Sequence, residues 1–165
     1  MRRIITLMAA GIIVVGISGS ALCEGRVGLG ASVGAVFPNN DKDIDWSDVG
    51  LNWGFWVDIP IAWVFNLTPS AEIYDLGGKV GKDTATDICL NFKFIVPFSF
   101  MRFFFGVAGG VTNHLDYHPN AGVLAGLSFP LVSNLEAFVQ AKYKILIADP
   151  NVHTIHANAG MLFMF

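Results

Sequence analysis

The sequence predicts an all-β fold, a closed antiparallel up-and-down transmembrane barrel of about eight strands. Three observations predict it. Apolar and polar residues alternate with a period of two through segments long enough to cross a bilayer. The composition is too apolar for an ordinary soluble domain, with 53% hydrophobic residues, 14% charged residues and a mean hydropathy of +0.55. The connections between segments alternate between short, proline-containing turns and longer polar loops.

The chain has 165 residues, which fits one domain preceded by a targeting segment. Arg2 and Arg3 stand ahead of an apolar run from Ile4 to Val15 that ends in small residues, an order expected of a secretory signal peptide over residues 1–23. Cleavage is expected after Ala21 or Cys23. A lipoprotein reading of Cys23 is disfavoured because Leu22 occupies the position where a small residue is needed. The barrel domain then spans residues 24–165. Export leaves Cys89 as its one thiol, so no intramolecular disulfide is expected. The formal charge of −3 becomes more negative without the two leader arginines, which argues against a nucleic-acid partner.

The first segment sets Val27, Leu29, Ala31, Val33, Ala35 and Phe37 against Gly28, Gly30, Ser32, Gly34 and Val36. The second sets Val49, Leu51, Trp53, Phe55, Val57 and Ile59 against Gly50, Asn52, Gly54, Trp56 and Asp58. A third, Trp63 to Ile73, is less regular and contains Pro69. The fourth turns Ile88, Leu90, Phe92, Phe94 and Val96 outward and Asp87, Cys89, Asn91, Lys93 and Ile95 inward. The fifth, Met101 to Val111, carries Arg102, Phe104, Gly106, Ala108 and Gly110 on its inward face. Residues 121–129 form the sixth, with Ala121, Val123, Ala125, Leu127 and Phe129 outward. The seventh opposes Leu135, Ala137, Val139, Ala141, Tyr143 and Ile145 to Glu136, Phe138, Gln140, Lys142 and Lys144. The eighth opposes Ile155, Ala157, Ala159, Met161, Phe163 and Phe165 to His156, Asn158, Gly160, Leu162 and Met164. Each crossing is about 9 to 11 residues, the length of a tilted membrane strand. An open edge would leave unpaired N–H and C=O groups in hydrocarbon, so the sheet is expected to close.

Short turns are expected at Pro60, at 97–100 and at 130–134, and longer polar loops at 38–48, 75–86, 116–120 and 148–152. An even strand count places both ends of the barrel on the periplasmic side and the polar loops outside. Trp53, Trp63, Phe65, Phe98, Phe100 and Phe103 are expected to form an aromatic girdle near the short turns.

A barrel of eight strands has an interior just wide enough to be filled by side chains. Its inward charges should therefore pair. Heights counted from the turns give two mixed-sign layers: Arg26, Asp58, Lys93, Arg102 and Glu136 near the short turns, and Glu72, Asp87, Lys142 and Lys144 nearer the long loops. Strands three and seven lie opposite in an eight-strand ring, so Glu72 and Lys142 are expected to meet across the lumen.

The chain resembles the small OmpA- and OmpX-type outer-membrane barrels, including the opacity-protein-like set. The glycine-rich opening GRVGLGASVGAVF, the strand FFFGVAGGV and the closing strand HANAGMLFMF carry the likeness. It implies an outer-membrane location among lipid and lipopolysaccharide, with periplasmic chaperones and the barrel-assembly machinery as partners during biogenesis. It also implies that Met161, Phe163 and Phe165 form the assembly signal. The modest loops depart from relatives with adhesin or receptor roles.

A helical reading of residues 94–111 fails because Pro97 and Arg102 would lie inside the span, and a central charge on a lipid-facing helix costs roughly 2.5 to 3.5 kcal/mol. Lipid-acyl chemistry, the enzymatic alternative, needs a serine and a carboxylate arranged around a histidine. His114, His118, His153 and His156 read instead as loop and rim residues, with His156 and Asn158 in the inward phase but no serine at the required spacing. Asp41, Asp43, Asp45 and Asp48 form a DxDxDxxD run without the glycine and glutamate of a calcium loop, so it reads as a solvated acidic loop and no metal site is assigned. No cofactor motif is present. The expected function is a non-enzymatic envelope-structural or surface-interaction barrel, with a narrow solute channel as a further alternative.

Overall fold

The computed structural model describes residues 26–38, 49–62, 64–75, 84–114, 116–149 and 151–165. The leader, the acidic run at 41–48 and Trp63 lie outside the described residues. Eight antiparallel strands follow one another around a closed ring. They are β1 (Gly28–Pro38), β2 (Gly50–Ala62), β3 (Phe65–Asp75), β4 (Thr84–Pro97), β5 (Arg102–His114), β6 (Asp116–Val132), β7 (Leu135–Leu146) and β8 (Val152–Met164). β8 returns to β1 through an unbroken run of pairs from Gly28↔Met164 to Pro38↔Thr154, so no edge remains.

The period of two fixes which residues face out. Leu51, Phe55, Val107 and Val123 are each more than half exposed, whereas Asn52, Glu72, Asp87, Lys142 and Lys144 are almost wholly buried. Apolar outside and polar inside reverses the arrangement of a soluble protein, and a continuous apolar surface of this extent calls for lipid as its solvent. No helix among the described residues is long and apolar enough to cross a membrane.

Glycine on the inward face has a packing reason. The ring of Trp56 occupies the place a Cβ would take at its cross-strand partner Gly30, Phe104 does so at Gly126, and Phe138 at Gly160. Large and small residues thus alternate around the lumen and let rings fold flat across it.

Proline marks the ladder's irregularities. β2 and β3 lose register between Pro60 and Ala62, and β6 and β7 between Pro130 and Val132. The β2–β3 ladder also has no pairs opposite Val57 and Asp58, where Pro69 has no N–H to give. There the side chains of Asn66 and Thr68 both donate to the Asp58 carboxylate at 2.5 Å, bridging the gap.

Three expectations about the strands need correction. Residues 116–120, expected as a loop, belong to β6 and pair back onto β5 as far as His114↔Asp116. Pro119 permits this because its carbonyl, accepting from Ile147 N at 2.9 Å, shows that its missing N–H also faces β7, beyond the last β6–β7 pair Asn120↔Leu146. Ile59, expected on the exposed face, is only 2% exposed and lies beside the Pro60–Ala62 irregularity. Of the expected aromatic girdle, Phe65 and Phe103 join Phe92, Phe94 and Phe105 in a chain of ring contacts across β3, β4 and β5. Trp53 lies towards the opposite end, paired with Val33 and Ile73.

Candidate functional site

The lumen contains the molecule's concentrated chemistry, and its floor is set by β2, β4, β5 and β7. At the short-turn end Lys93 Nζ lies 3.4 Å from Asp58 Oδ1, and Arg102 Nη1 lies 2.7 Å from Glu136 Oε1. Ser128 Oγ donates to the second Glu136 oxygen at 3.1 Å. The Lys93 ammonium is also 5.5 Å from the Trp56 ring and 5.2 Å from the Phe104 ring, close enough for the ring faces to share its charge. A cavity of about 30 Å³ opens between these groups, room for little more than water.

Above it the lumen divides lengthwise. Trp56, Phe104, Ala108, Leu124, Phe138 and Leu162 form an apolar plug, with Trp56 and Phe138 4.7 Å apart. Against β3 and β4 the filling is polar: Asn91 donates to the Thr68 carbonyl at 2.6 Å and to Ser70 Oγ at 2.9 Å. Cys89 is buried and contacts Asn120 Oδ1 at 3.4 Å.

The second charged layer lies towards the long-loop end. Lys142 on β7 donates to Glu72 Oε1 on β3, directly across the ring, and Lys144 donates to Asp87 Oδ2 on β4. Tyr74 joins the second pair, its hydroxyl accepting from Lys144 at 2.9 Å and donating to Asp87 Oδ1 at 3.3 Å. The Lys144 ammonium is 4.4 Å from the Tyr74 ring. Asn52 approaches Glu72 Oε2 at 3.5 Å, His156 Nδ1 at 3.3 Å and Asn158 Oδ1 at 2.9 Å. His156 Nδ1 is itself 3.3 Å from Glu72 Oε2, and Nε2 is 3.0 Å from Thr154 Oγ1.

The inward residues picked out by alternation and height therefore occupy these places: Asp58, Lys93, Arg102 and Glu136 in one layer, Glu72, Asp87, Lys142 and Lys144 in the other. Arg26 does not join them. It precedes β1, is exposed, and donates to the Ser133 carbonyl at 2.7 Å, which ties the segment leading into β1 to the β6–β7 turn. His156 also differs from its reading as a rim residue, being fully buried inside the second layer. His153, one residue out of phase with it, faces outward and contacts the Tyr143 hydroxyl at 2.7 Å. Met161, Phe163 and Phe165 lie on the exposed face of β8 or just past it, with Phe165 N bonded to the Val27 carbonyl at 2.8 Å and its ring 5.0 Å from that of Phe163. Thr68, Tyr74 and Thr112 are buried members that the sequence did not single out although their inward phase marks them, whereas Asn52 was placed inward without a partner and Asn120 in a loop.

Strand number, closure, antiparallel order and an apolar exterior around a polar interior are together decisive. The chain has the fold of the eight-stranded outer-membrane barrels. Comparison with solved structures agrees. The crystal structure of neisserial surface protein A superimposes with a TM-score of 0.68 at 12% identity, over 85% of this chain and 96% of that one. The solution structure of outer membrane protein H from P. aeruginosa gives 0.62 at 15% identity, over 85% and 99%. The N-terminal β-barrel domain of Pseudomonas aeruginosa OprF gives 0.55 at 14%, over 86% and 99%. No protein-family model and no curated protein sequence matches the chain. The likeness is thus one of architecture.

Proposed function

We propose that the chain is a non-enzymatic outer-membrane barrel, with the short turns and both barrel ends in the periplasm and an envelope-structural or surface-interaction role. Its lumen is closed to bulk solute. The observation that carries this reading is the filling of the interior: two charged layers, with four ion pairs among the described residues, enclose an apolar plug. A general pore needs a continuous aqueous path, and the cavity of about 30 Å³ at one end supplies none. Catalysis on lipid is disfavoured by the same packing, because His156 is fully buried among Asn52, Glu72, Tyr74 and Thr154, where no acyl chain can reach it.

The exposed apolar belt takes outer-membrane lipid and lipopolysaccharide as its surroundings. Met161, Phe163 and Phe165, apolar at alternate positions on an outward face, serve as the recognition strand for periplasmic chaperones and the assembly machinery. The test is reconstitution of refolded protein in planar bilayers at neutral pH. A closed barrel gives no steady conductance, and large, long-lived steps refute the reading. Lipid A mass spectra from cells with and without the protein test the enzymatic alternative, and an acyl-chain difference abolished by His156→Ala establishes it in place of ours.

A further inference from the structure

The four lumenal ion pairs sum to zero charge, and within the second layer Glu72 and Asp87 are matched by Lys142 and Lys144. Within the second layer, among Glu72, Tyr74, Asp87, Lys142 and Lys144, His156 is the group whose unperturbed titration falls near physiological pH. It touches the Glu72 carboxylate, which joins opposite sides of the barrel through Lys142. Around it stand Val36 from β1, Asn52 from β2, Glu72 and Tyr74 from β3, Lys142 as its direct ladder partner and Lys144 from β7, and Thr154 and Asn158 from its own strand. Asp87 reaches this group through Lys144 and Tyr74.

We propose that His156 is an acid-responsive latch on the Glu72–Lys142 cross-lumen pair: neutral, it lets the pair close the polar half of the lumen that runs past the apolar plug along β3 and β4, and protonated, it displaces Lys142 from Glu72 and loosens that half. The contacts provide the two arrangements. With the ring neutral and its proton on Nε2, Nδ1 accepts from the Asn52 amide at 3.3 Å while Nε2–H donates to Thr154 Oγ1 at 3.0 Å. A proton taken from solvent onto Nδ1 turns this acceptor into a donor, which repels the Asn52 NH₂ and favours Glu72 Oε2, also 3.3 Å away. Glu72 then faces two cations, and the layer carries one unmatched positive charge in a buried site. Such a charge is unfavourable unless a neighbour leaves. Lys142 is the neighbour able to move, because its long flexible side chain can swing towards the long-loop mouth while the imidazole is held by Thr154 and Tyr74.

The proposal goes beyond the closed-lumen reading and is separable from it. Conductance of the refolded full chain in planar bilayers is followed from pH 8 to pH 4.5, with His156→Gln and Lys142→Gln alongside. The expected wild type is silent at pH 8 and opens as pH falls, with open occupancy rising by at most about tenfold per pH unit, the limit for one proton. His156→Gln is expected to stay silent throughout. Lys142→Gln is expected to reverse the dependence, because protonated His156 then supplies the only cation for Glu72. A wild type silent at both extremes overturns the latch and leaves the closed barrel intact. Steady conductance at pH 8 overturns the closed barrel, whereas the latch still stands or falls by the pH slope. An acid response retained in His156→Gln, or steeper than one proton, overturns the assignment to His156. If the glutamine variant does not refold, the His156 ring proton resonance in micelles decides: a midpoint matching that of conductance supports the latch, and a different midpoint or no titration overturns it.

Discussion

The Asp87–Lys144 pair gives the sharpest energetic test of the lumenal network. Both side chains are about 1% exposed, and Asp87 has two partners in its layer, the Lys144 ammonium and the Tyr74 hydroxyl at 3.3 Å. Lys144→Met leaves the carboxylate with the hydroxyl alone, and removing one partner of a buried pair costs about 3 to 5 kcal/mol. Asp87→Asn strands the ammonium less severely, because Lys144 keeps the Tyr74 oxygen at 2.9 Å and the ring face 4.4 Å away. Its loss should fall at or below the lower end of that range. The double variant removes both charges, and exchange of a buried pair for uncharged residues of similar volume is close to neutral, so it should recover most of the stability lost by Lys144→Met alone. The assay is equilibrium urea unfolding in lipid vesicles, followed by tryptophan emission and by heat-dependent gel mobility. A coupling of several kcal/mol between the sites is expected. If the two single losses add to the double within about 0.5 kcal/mol, the residues act independently and the paired-layer argument fails.

Three further predictions probe the walls and the filling. Val139 is 47% exposed midway along β7, so Val139→Lys should lower stability by about 2 to 4 kcal/mol, the penalty for a basic residue at the bilayer midplane; a loss under 0.5 kcal/mol in the same vesicles would place this face outside the lipid. Phe138→Ala removes a ring that covers Gly160 and packs on Trp56 at 4.7 Å, and a loss of about 3 to 5 kcal/mol is expected from the cavity left behind, measured by the urea midpoint at unchanged slope. Cys89 is 3% exposed and faces the polar half of the lumen, so the folded barrel should resist a maleimide that labels the urea-unfolded chain within minutes. Rapid labelling of the folded form would mean that the lumen is open to solutes of that size.

Much of this architecture was legible because one physical constraint acts on every residue of a membrane strand. Lipid on one side and a crowded interior on the other leave a two-residue rhythm that survives wherever the strand is embedded, as in Leu135–Leu146, where Glu136, Gln140, Lys142 and Lys144 all turn inward. Pairing of Glu72 with Lys142 followed from the same rhythm combined with ring geometry. What escaped lies where that constraint lapses. Asp116 to Asn120 have loop composition, yet they continue the β5–β6 hairpin because Pro119 sits where no backbone donor is needed. Arg26 shares the inward phase but lies before the first strand, where a long side chain reaches water and a turn carbonyl. His156 was in phase too, but depth is not written in alternation. Its burial follows from β8 starting at Val152, which sets His156 level with Lys142.

The lumenal charges also explain how the chain selects one register among several that would keep apolar residues outside. Alternation fixes parity: a slip of one residue between neighbours turns every inward charge to lipid, at about 2 to 4 kcal/mol for each basic side chain at mid-depth. A slip of two preserves parity, so the rhythm alone cannot exclude it. The cross-lumen pairs can. Glu72 and Lys142 stand on β3 and β7, Asp87 and Lys144 on β4 and β7, and Asn52 and Asn158 on β2 and β8, so each contact ties strands that are not ladder neighbours. Moving any of these strands by two residues, roughly 6.5 to 7 Å, takes at least one buried charge or amide out of reach of its partner. The apolar plug of Trp56, Phe104 and Phe138 imposes the same condition, because each ring needs a glycine opposite it. Charges that would contribute little on a surface thus act here as a register device, which gives a lumen filled by side chains a reason to be polar.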